Sequence, residues 1–365
     1  MKTTNKLEEF RKKRGLSASY LAGEAGVSRQ TIYAIESGDY VPNTTVALKM
    51  ARTLKVNVED LFFLADLGPV QQASSVDLIR LHMPSTNASA YVARVGDKRV
   101  AVPLPIMPVF LPTADAVLSE SGRKAIMLDD SSADKTLLIA GCDPAVSLLA
   151  DELLRNSGIT LVAVPCSSTE ALGLLRAGKV HIAGMHLRDG KSGDYNLPQI
   201  RRGLRGRAHT VVTFAVWQQG ILAAPGNPKR IRRVEDLLRR NVTIINREAG
   251  AGARQLLDTA AEQAGADASR IAGYGNTAYA HMQAAVAVAS GEADCCIATN
   301  SAARALGLEF IPIASERYDF VIANELADPV AINGLLDVMQ RAALRRKLEM
   351  LAGYETGSTG KIQVE

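Results

Sequence analysis

The chain has 365 residues, a formal net charge of +4, 47% hydrophobic and 22% charged residues. That length and balance exclude general disorder and leave room for two or three globular domains with ample core. The positive excess is too mild to argue for nucleic acid by itself, so any such case rests on a local motif.

The opening MKTTNKLEEFRKKRG is charged and lacks the apolar region of a signal peptide. Leu7 and Phe10 share a helical face, and Gly15 stops that first helix. Ser17 caps a second helix carrying Tyr20, Leu21 and Ala25; Gly26 turns sharply, and Ser28 caps a third with Ile32 and Ile35 inward. Asn43 or Thr44 opens a fourth helix (Val46, Met50, Leu54), and Val56-Asn57-Val58 starts a fifth that ends near Phe62.

The stretch LAGEAGVSRQTIYAIESGDYVPNTTVALKMARTLKVNVEDLF resembles the Cro-type (Xre) phage-repressor helix-turn-helix over about residues 5–64. It carries the helix, the glycine-containing turn, the second helix and the following E-S-G-x-x-x-P element. In that family the helix after the turn lies in the major groove. The resemblance implies that Arg29, Gln30 and Thr31 read bases, with Tyr33 also outward. Gln suits a bidentate contact to adenine and Arg one to guanine. Ser28, Asn43 and Thr44 would meet phosphates, together with amides at helix starts. Ala18 departs from the pattern, because many relatives place a backbone-contacting Gln there. The alternative for this segment is a five-helix protein-interaction domain.

From Leu67 to about Lys135 the pattern changes. GPVQQASS reads as a linker, and VDLIRLHM, AYVARVGDKRVAVPLP and RKAIMLDD read as short strands with a hairpin turn at GDK. Pro103, Pro105, Pro108 and Pro112 forbid a long regular element. The segment is a small β-rich connector, which either extends a dimer or packs on the domain behind it.

From Thr136 strands and helices alternate: TLLIAG, DPAVSLLADELLRNSG, ITLVAVPC, STEALGLLRAG and KVHIAGMHL, then the long β-type run TVVTFAVWQQGILAAPG and a helix at VEDLLRR. VTIINR, AGARQLLDTAAEQAG, ASRIAGYG, HMQAAVAVASG, ADCCIATN, SAARALG and LEFIPIA continue the rhythm, and PVAINGLLDVMQRAALRRKLEML is a final helix before a turn-rich tail. This is the βαβ alternation of a doubly wound sheet. Cys142, Cys166, Cys295 and Cys296 show no C-x-x-C spacing, which favours reduced thiols over a disulfide frame or a zinc site. Cys295 and Cys296 lie in an apolar strand and read as buried thiols rather than a redox or metal sensor. No apolar stretch reaches the ~18 residues of a membrane span, so a cytoplasmic chain is expected.

The segment VTIINREAGAGARQLLD places two glycines between a strand and a helix. It fails as a nucleotide loop: no Lys-Ser/Thr follows, and Gln255 stands where the dinucleotide fingerprint needs a third glycine. What remains is a small-anion site built from Gly250, Gly252 and the helix start, with Arg247 and Arg254 as fork donors, or a plain tight turn. Cys142 and Asp143 follow the first strand of this region, and Ser167, Ser168 and Thr169 open a helix after the second. His186 follows the third strand. For these the alternatives are N-capping and ordinary packing. Tyr195, Tyr274, Asn276 and Thr277 lie in loops and are lesser candidates. The basic runs QIRRGLRGR and KRIRR are either solvated faces or a second nucleic-acid surface.

Three blocks resemble periplasmic-binding-protein folds: VEDLLRRNVTIINREAGAGARQLLD, HMQAAVAVASGEADCCIATNSAARALGLEFIPIASERYDFVI, and the tail GYETGSTGKI. The tail is similar to that of binding-protein-like domains joined to helix-turn-helix or molybdopterin-biosynthesis proteins. The resemblance implies two lobes, roughly 136–215 with the chain end and 225–310, crossed near 216–222 and 310–313. It also places Thr299 and Asn300 at the cleft. The expected fold class is therefore multidomain. An all-α helix-turn-helix domain (1–66) precedes a linker and small β-rich connector (67–135) and a two-lobed α/β periplasmic-binding-protein-like domain (136–365).

The resulting expectation is a one-component regulator that binds double-stranded operator DNA as a homodimer or higher homo-oligomer. A small anionic effector, molybdate or tungstate by the resemblance, would shift DNA binding through differential affinity. No catalytic residue, metal site, cofactor or membrane partner is assigned. The alternatives are a cofactor-biosynthesis-related enzyme using the same cleft, against which no nucleophile–base pairing or metal-ligand spacing is visible, and a C-terminal domain that serves only for assembly.

Overall fold

The computed structural model describes residues 3–64, 73–79, 88–104, 114–119, 124–128, 133–190 and 192–363, in two compact units, 1–72 and 73–365. In the first unit five helices follow one another, α1 (Leu7–Lys13), α2 (Ala18–Ala25), α3 (Arg29–Glu36), α4 (Thr44–Leu54) and α5 (Val58–Leu61), as expected among the described residues. Side chains set their starts: Ser17 Oγ accepts from the Tyr20 amide at 3.1 Å, Ser28 Oγ from Thr31 at 3.0 Å, and Asn43 Oδ1 from Val46 at 3.0 Å. Gly26, at φ 74°, takes the left-handed turn between α2 and α3. Leu7, Leu21, Ile32, Ile35, Met50, Leu54 and Leu61 form a fully buried core. A two-residue-bonded fork clamps it, with Arg11 Nε and Nη2 donating to Glu36 at 2.6 and 3.0 Å. Not expected was a short antiparallel pair, β1 (Thr3–Asn5) with β2 (Phe62–Leu64), which closes the two ends of this unit on each other.

In the second unit the connector strands are β3 (Ala73–Ser75), β4 (Asp77–Leu78), β5 (Ser89–Val95), β6 (Lys98–Pro103), β7 (Ala116–Ser119) and β8 (Lys124–Met127). They form one sheet in the order β3-β8-β7-β5-β6-β4. The turn at Gly96-Asp97 joins β5 and β6 as the GDK motif implied, whereas β7 was not foreseen. Residues 68–72 of the linker and Pro105, Pro108 and Pro112 lie outside the described residues. Of the two roles weighed for the connector, the structure displays packing on the following domain. Ile79, Ala93, Val95, Val100 and Val102 share one core with Leu138, Val162, Leu175 and Val321. His181 stitches the two together: Nδ1 accepts from the Leu138 amide at 2.9 Å, leaving Nε2 to donate to the Arg94 carbonyl at 2.8 Å.

The rest of this unit is two lobes on one bent sheet. Lobe one holds β9 (Thr136–Gly141), α6 (Val146–Ser157), β10 (Thr160–Pro165), α7 (Ser168–Arg176), β11 (Ile182–Met185) and α8 (Leu197–Gly203). The chain crosses on β12 (His209–Ala223). Lobe two holds β13 (Ile244–Arg247), α9 (Gly252–Gln263), β14 (Thr277–Ala278), α10 (His281–Ala289), β15 (Cys295–Thr299) and α11 (Asn300–Ala305). It returns on β16 (Glu309–Ala323). Strand order is β10-β9-β11-β16-β12-β15-β13-β14, so β12 and β16 belong to both lobes and pair antiparallel along their whole length. Their register breaks twice, between Thr213 and Ala215 and between Gln219 and Gly220.

Three local expectations are corrected. VEDLLRR is a 3-10 turn (Val234–Leu238) rather than an α-helix, with Asp236 accepting from the Arg232 and Arg233 amides. The final helix is two, α12 (Pro329–Gln340) and α13 (Ala342–Glu349), because Arg341 adopts an extended ψ of 135°. The strand read as LEFIPIA continues through the polar Ser315-Glu316-Arg317. The tail adds β17 (Tyr354–Glu355) and β18 (Ile362–Gln363) to β12.

Candidate functional site

The crossing strands bring charge and aromatic surface to the middle of the bent sheet. Trp217 on β12 pairs with Glu316 on β16, and Gln219 with Ala314. Against them the C-terminal end of β9 delivers Cys142 and Asp143, the end of β11 delivers His186, and lobe two contributes Arg247 from β13 and His281 from the start of α10. Ligand placement at strand ends is the general habit of open α/β sheets. All these side chains are buried, with His281 at 0% and Arg247 and His186 at 1% exposure.

Their contacts form a line. Cys142 Sγ lies 3.3 Å from His186 Nε2, and His186 Nδ1 lies 2.7 Å from Glu316 Oε2. A carboxylate only accepts, so Nδ1 carries the proton. Gln219 Nε2 also donates to Glu316, at 2.8 Å. Burial pulls the His186 pKa down, but Cys142 and Glu316 beside it outweigh that and push it up to about 10. His281 is held well below its ordinary value, by burial first and then by the charges of Arg247 and His186, so it is neutral. Asp143 is pushed up to about 7 by burial, against hydrogen bonds from Tyr354 and the Ala145 amide. The Tyr354 hydroxyl donates to Asp143 at 2.6 Å, which gives the tail a direct part in the site.

Buried polar atoms normally find partners. Among the described residues eight buried side-chain atoms do not, and six of them surround this cluster: Asp143 Oδ2, Trp217 Nε1, Gln219 Oε1, Arg247 Nη1 and both ring nitrogens of His281. The rings are close, with His186 5.2 Å from Trp217 and 5.7 Å from His281 between centroids. A cleft of about 250 Å³, lined by Arg188, Tyr195, Gln255, Thr259 and Glu316 among others, reaches the cluster at Glu316.

The residues expected at the site divide. Cys142, Asp143, His186 and Arg247 are in the cluster. Ser167 caps α7, accepting from the Glu170 amide at 3.2 Å, and Ser168 Oγ accepts from the His186 amide at 3.2 Å, so Ser168 holds His186 from behind. Thr299 caps α11, and Asn300 Nδ2 donates to Gln218 Oε1 at 3.0 Å. Arg254 stands outside, its guanidinium 4.5 Å over the Tyr274 ring and Nη1 donating to the Arg247 carbonyl at 3.2 Å. Gly250 and Gly252 lie where the two lobes meet, and Gly250 lines a cleft of about 490 Å³ together with Thr169, Ala251 and Arg254. At Gly250 (φ 85°) a Cβ would lie 2.8 Å from Thr169 Cβ, and at Gly252 2.5 Å from the His186 ring. Thr169 donates to the Gly250 carbonyl through its amide at 3.3 Å and its hydroxyl at 3.1 Å. The glycines therefore let lobe two close on lobe one. Of the lesser candidates, the Tyr195 hydroxyl donates to the Ser315 carbonyl at 3.0 Å, Tyr274 to Asp258 at 2.8 Å, and Asn276 offers its carbonyl to the Asn246 amide at 2.8 Å. Thr277 begins β14.

Sequence reasoning missed Trp217, Gln219, His281, Glu316, Tyr354 and Tyr318, whose hydroxyl accepts from the Cys142 amide at 3.1 Å. A tryptophan beside two glutamines in an apolar run, and a histidine opening an alanine-rich helix, were the available signals. It also found neither a nucleophile–base pair nor a metal-ligand set. The fold sets the side chains of positions 142, 186, 281 and 316 beside one another, which no linear spacing could connect. The four cysteines are free and buried. No helix is long and apolar enough to cross a membrane among the described residues.

In the first unit Ser28, Arg29, Gln30, Tyr33, Asn43 and Thr44 are exposed and Thr31 half-buried. Ser28 and Asn43 serve as caps, and Ser28 Oγ also meets Thr31 Oγ1 at 2.8 Å. Arg29 folds back on Tyr33, with Nη2 donating to the phenol oxygen at 2.9 Å.

A helix-turn-helix family model matches residues 7–61 and a PBP superfamily domain model matches residues 150–340. The uncharacterized protein YvgK of Bacillus subtilis (strain 168) is 30% identical over 249 residues, covering 68% of this chain and 80% of that protein. The uncharacterized HTH-type transcriptional regulator YgzD of the same organism is 44% identical over 62 residues, 17% of this chain and 94% of that one. Among solved structures, the tungstate ABC transporter protein from Geobacter sulfurreducens is 13% identical, with TM-score 0.46 over 59% of this chain and 98% of that one. The chain belongs to the helix-turn-helix transcriptional regulators that carry a two-lobed C-terminal domain of the PBP superfamily.

Proposed function

We propose that the protein is a one-component transcription regulator that reads a small anion in the chamber between its lobes and adjusts operator binding accordingly. The observation that carries this is that Arg247 Nη1, Trp217 Nε1 and both ring nitrogens of His281 are buried in the cluster without a hydrogen-bond partner, with the Trp217 and His281 rings 5.4 Å apart between centroids. Leaving such groups bare costs about 1–3 kcal/mol each, and an anion accepting from them recovers that cost only in the closed form. The ligand thus has the differential affinity for two states that a switch requires. Molybdate and tungstate are the first candidates, on the resemblance of the tail GYETGSTGKI. The helix-turn-helix acts as a homodimer on a palindromic site, with Arg29, Gln30 and Thr31 at base edges and Ser28, Asn43 and Thr44 at phosphates.

The test is thermal shift of the full chain against a panel of oxyanions and small organic acids, followed by operator binding with and without the responding anion. Stabilisation that is lost in Arg247→Lys, with altered operator affinity, supports the reading. No response to any anion overturns it and leaves the C-terminal domain a role in assembly.

A second reading has one specific observation behind it. Cys142, His186 and Glu316 stand in the order thiol, base and carboxylate used for nucleophilic catalysis. Turnover of a bound compound, absent in Cys142→Ser, would favour an enzyme; a ligand recovered unchanged favours the regulator.

A further inference from the structure

A nucleophilic triad does not account for His281. The triad uses Cys142, His186 and Glu316 and leaves His281, fully buried, without a partner at either nitrogen. Yet one ligand atom from each of Cys142, His186 and His281 can be chosen so that all lie within 4.8 Å of one another. We propose that Cys142 Sγ, His186 Nε2 and a ring nitrogen of His281 hold a single divalent transition-metal ion of borderline softness, Zn²⁺ or a first-row neighbour, in the chamber between the lobes.

Three features carry the assignment. The first is dimension. With metal–sulfur near 2.3 Å and metal–nitrogen near 2.0–2.1 Å, a tetrahedral S···N edge is about 3.6 Å. Cys142 Sγ and His186 Nε2 already stand 3.3 Å apart, so they need move only slightly to share an ion. The second is the outer partner. A ligating histidine characteristically donates its other N–H to a carboxylate, which fixes tautomer and ring orientation. His186 does this toward Glu316 at 2.7 Å, and Gln219 in turn holds the same Glu316 oxygen at 2.8 Å. The third is donor chemistry. One thiol and two imidazoles suit zinc-like ions and not the oxygen-seeking Mg²⁺ or Ca²⁺.

Three protein ligands leave a fourth position open, as in metal sites that accept an exogenous group. Arg247 Nη1 and Trp217 Nε1 are the unpartnered donors nearby, and an anion on the ion would accept from them. This part rests on the chamber being the effector site. The ligands come from both lobes, Cys142 and His186 from one and His281 from the other. Metal binding would therefore draw the lobes together.

The test uses the full chain, reduced and stripped with a chelator, then titrated with Co²⁺ and separately with Zn²⁺. The expected result is one equivalent of Co²⁺ giving a thiolate-to-cobalt charge-transfer band in the near ultraviolet and intense visible bands of a tetrahedral site, both discharged by Zn²⁺. Cys142→Ser should abolish the charge-transfer band, and His281→Gln should weaken the visible ones. Glu316→Gln should lower affinity about 10–100-fold while keeping the spectrum. Wild-type protein that keeps its fold by circular dichroism but yields no such bands overturns the inference, as do bands that survive both Cys142→Ser and His281→Gln. Thermal shift with molybdate, tungstate, sulfate and phosphate on the stripped protein separates the two readings. Anion stabilisation without any cobalt spectrum sinks the metal site and keeps the anion sensor. A cobalt spectrum with no anion response in either metal state keeps the metal site and sinks the sensor.

Discussion

Gly252 at the start of α9 stands so close to His186 that a Cβ added there would lie 2.5 Å from both Cε1 and Nδ1 of the ring. The contact joins one lobe to the other, and it is available only to a residue without a side chain. Gly252→Ala should therefore hold the lobes apart or displace His186, at about 1–3 kcal/mol for overpacking. Thermal melts should show that loss together with a weakened shift by any stabilising ligand. Gly275→Ala, where a Cβ meets nothing within 4 Å, is the control and should change neither.

His181 makes the connector sheet pH-sensitive. Burial lowers its pKa below the ordinary 6.5, although the bond to the Arg94 carbonyl works the other way. Below 6.5 the unfolded chain then binds a proton that the folded one refuses. The stabilising effect of the neutral ring is complete above that value and declines as pH falls from it toward the folded pKa. Melting temperature should drop on acidification below about pH 6.5, and His181→Gln should flatten part of that slope. An unchanged slope in the variant would remove His181 from the explanation.

On the DNA side, Gln30→Ala should lose discrimination at one base pair by about 1–3 kcal/mol. Arg29→Ala should do the same at another, while removing the internal bond to Tyr33. Anisotropy titrations against an operator and its single-base variants at fixed salt would check both. A loss uniform across all variants would reassign the residue to phosphate contact.

The fork between Arg11 and Glu36 lies under the helix-turn-helix core, with side chains 11% and 6% exposed. Glu36→Ala leaves the guanidinium with one bond, to the Leu16 carbonyl. The expected cost is roughly 1.5–3 kcal/mol, the range for hydrogen bonds to a charged group. Denaturant unfolding of the full chain should resolve it as an earlier transition of the N-terminal unit. Operator binding should fall at temperatures where the C-terminal domain is still folded.

The helical unit was legible almost residue by residue, because Ser17, Ser28 and Asn43 announce three of its five helix starts and Gly26 the turn. Those signals act within four residues, where sequence and structure are nearly the same thing. The crossing strand β16 was cut short for an instructive reason: Ser315-Glu316-Arg317 looks like a loop, yet it stays in the ladder while Glu316 faces the buried cluster. The split at Arg341 has no Gly or Pro to mark it. Gly250 and Gly252 were recognised as special, but the Thr169 and His186 they approach lie some 66 to 81 residues earlier, so this contact between the lobes was invisible before the fold. The same distance hides the cluster at Cys142, His186, His281 and Glu316.

The two register breaks in the β12–β16 ladder, at Thr213/Ala215 and Gln219/Gly220, bracket Trp217 and its cross-strand neighbour Glu316. A ribbon bends most easily where its rungs are out of step, so these residues stand at the fulcrum between the two lobes rather than at a rim. The anion proposed to bind in this cluster would press on that pivot itself. A small displacement there would be magnified by the length of each lobe, as at the short arm of a lever. An occupant of atomic dimensions would thus move whole faces of the C-terminal domain without touching them.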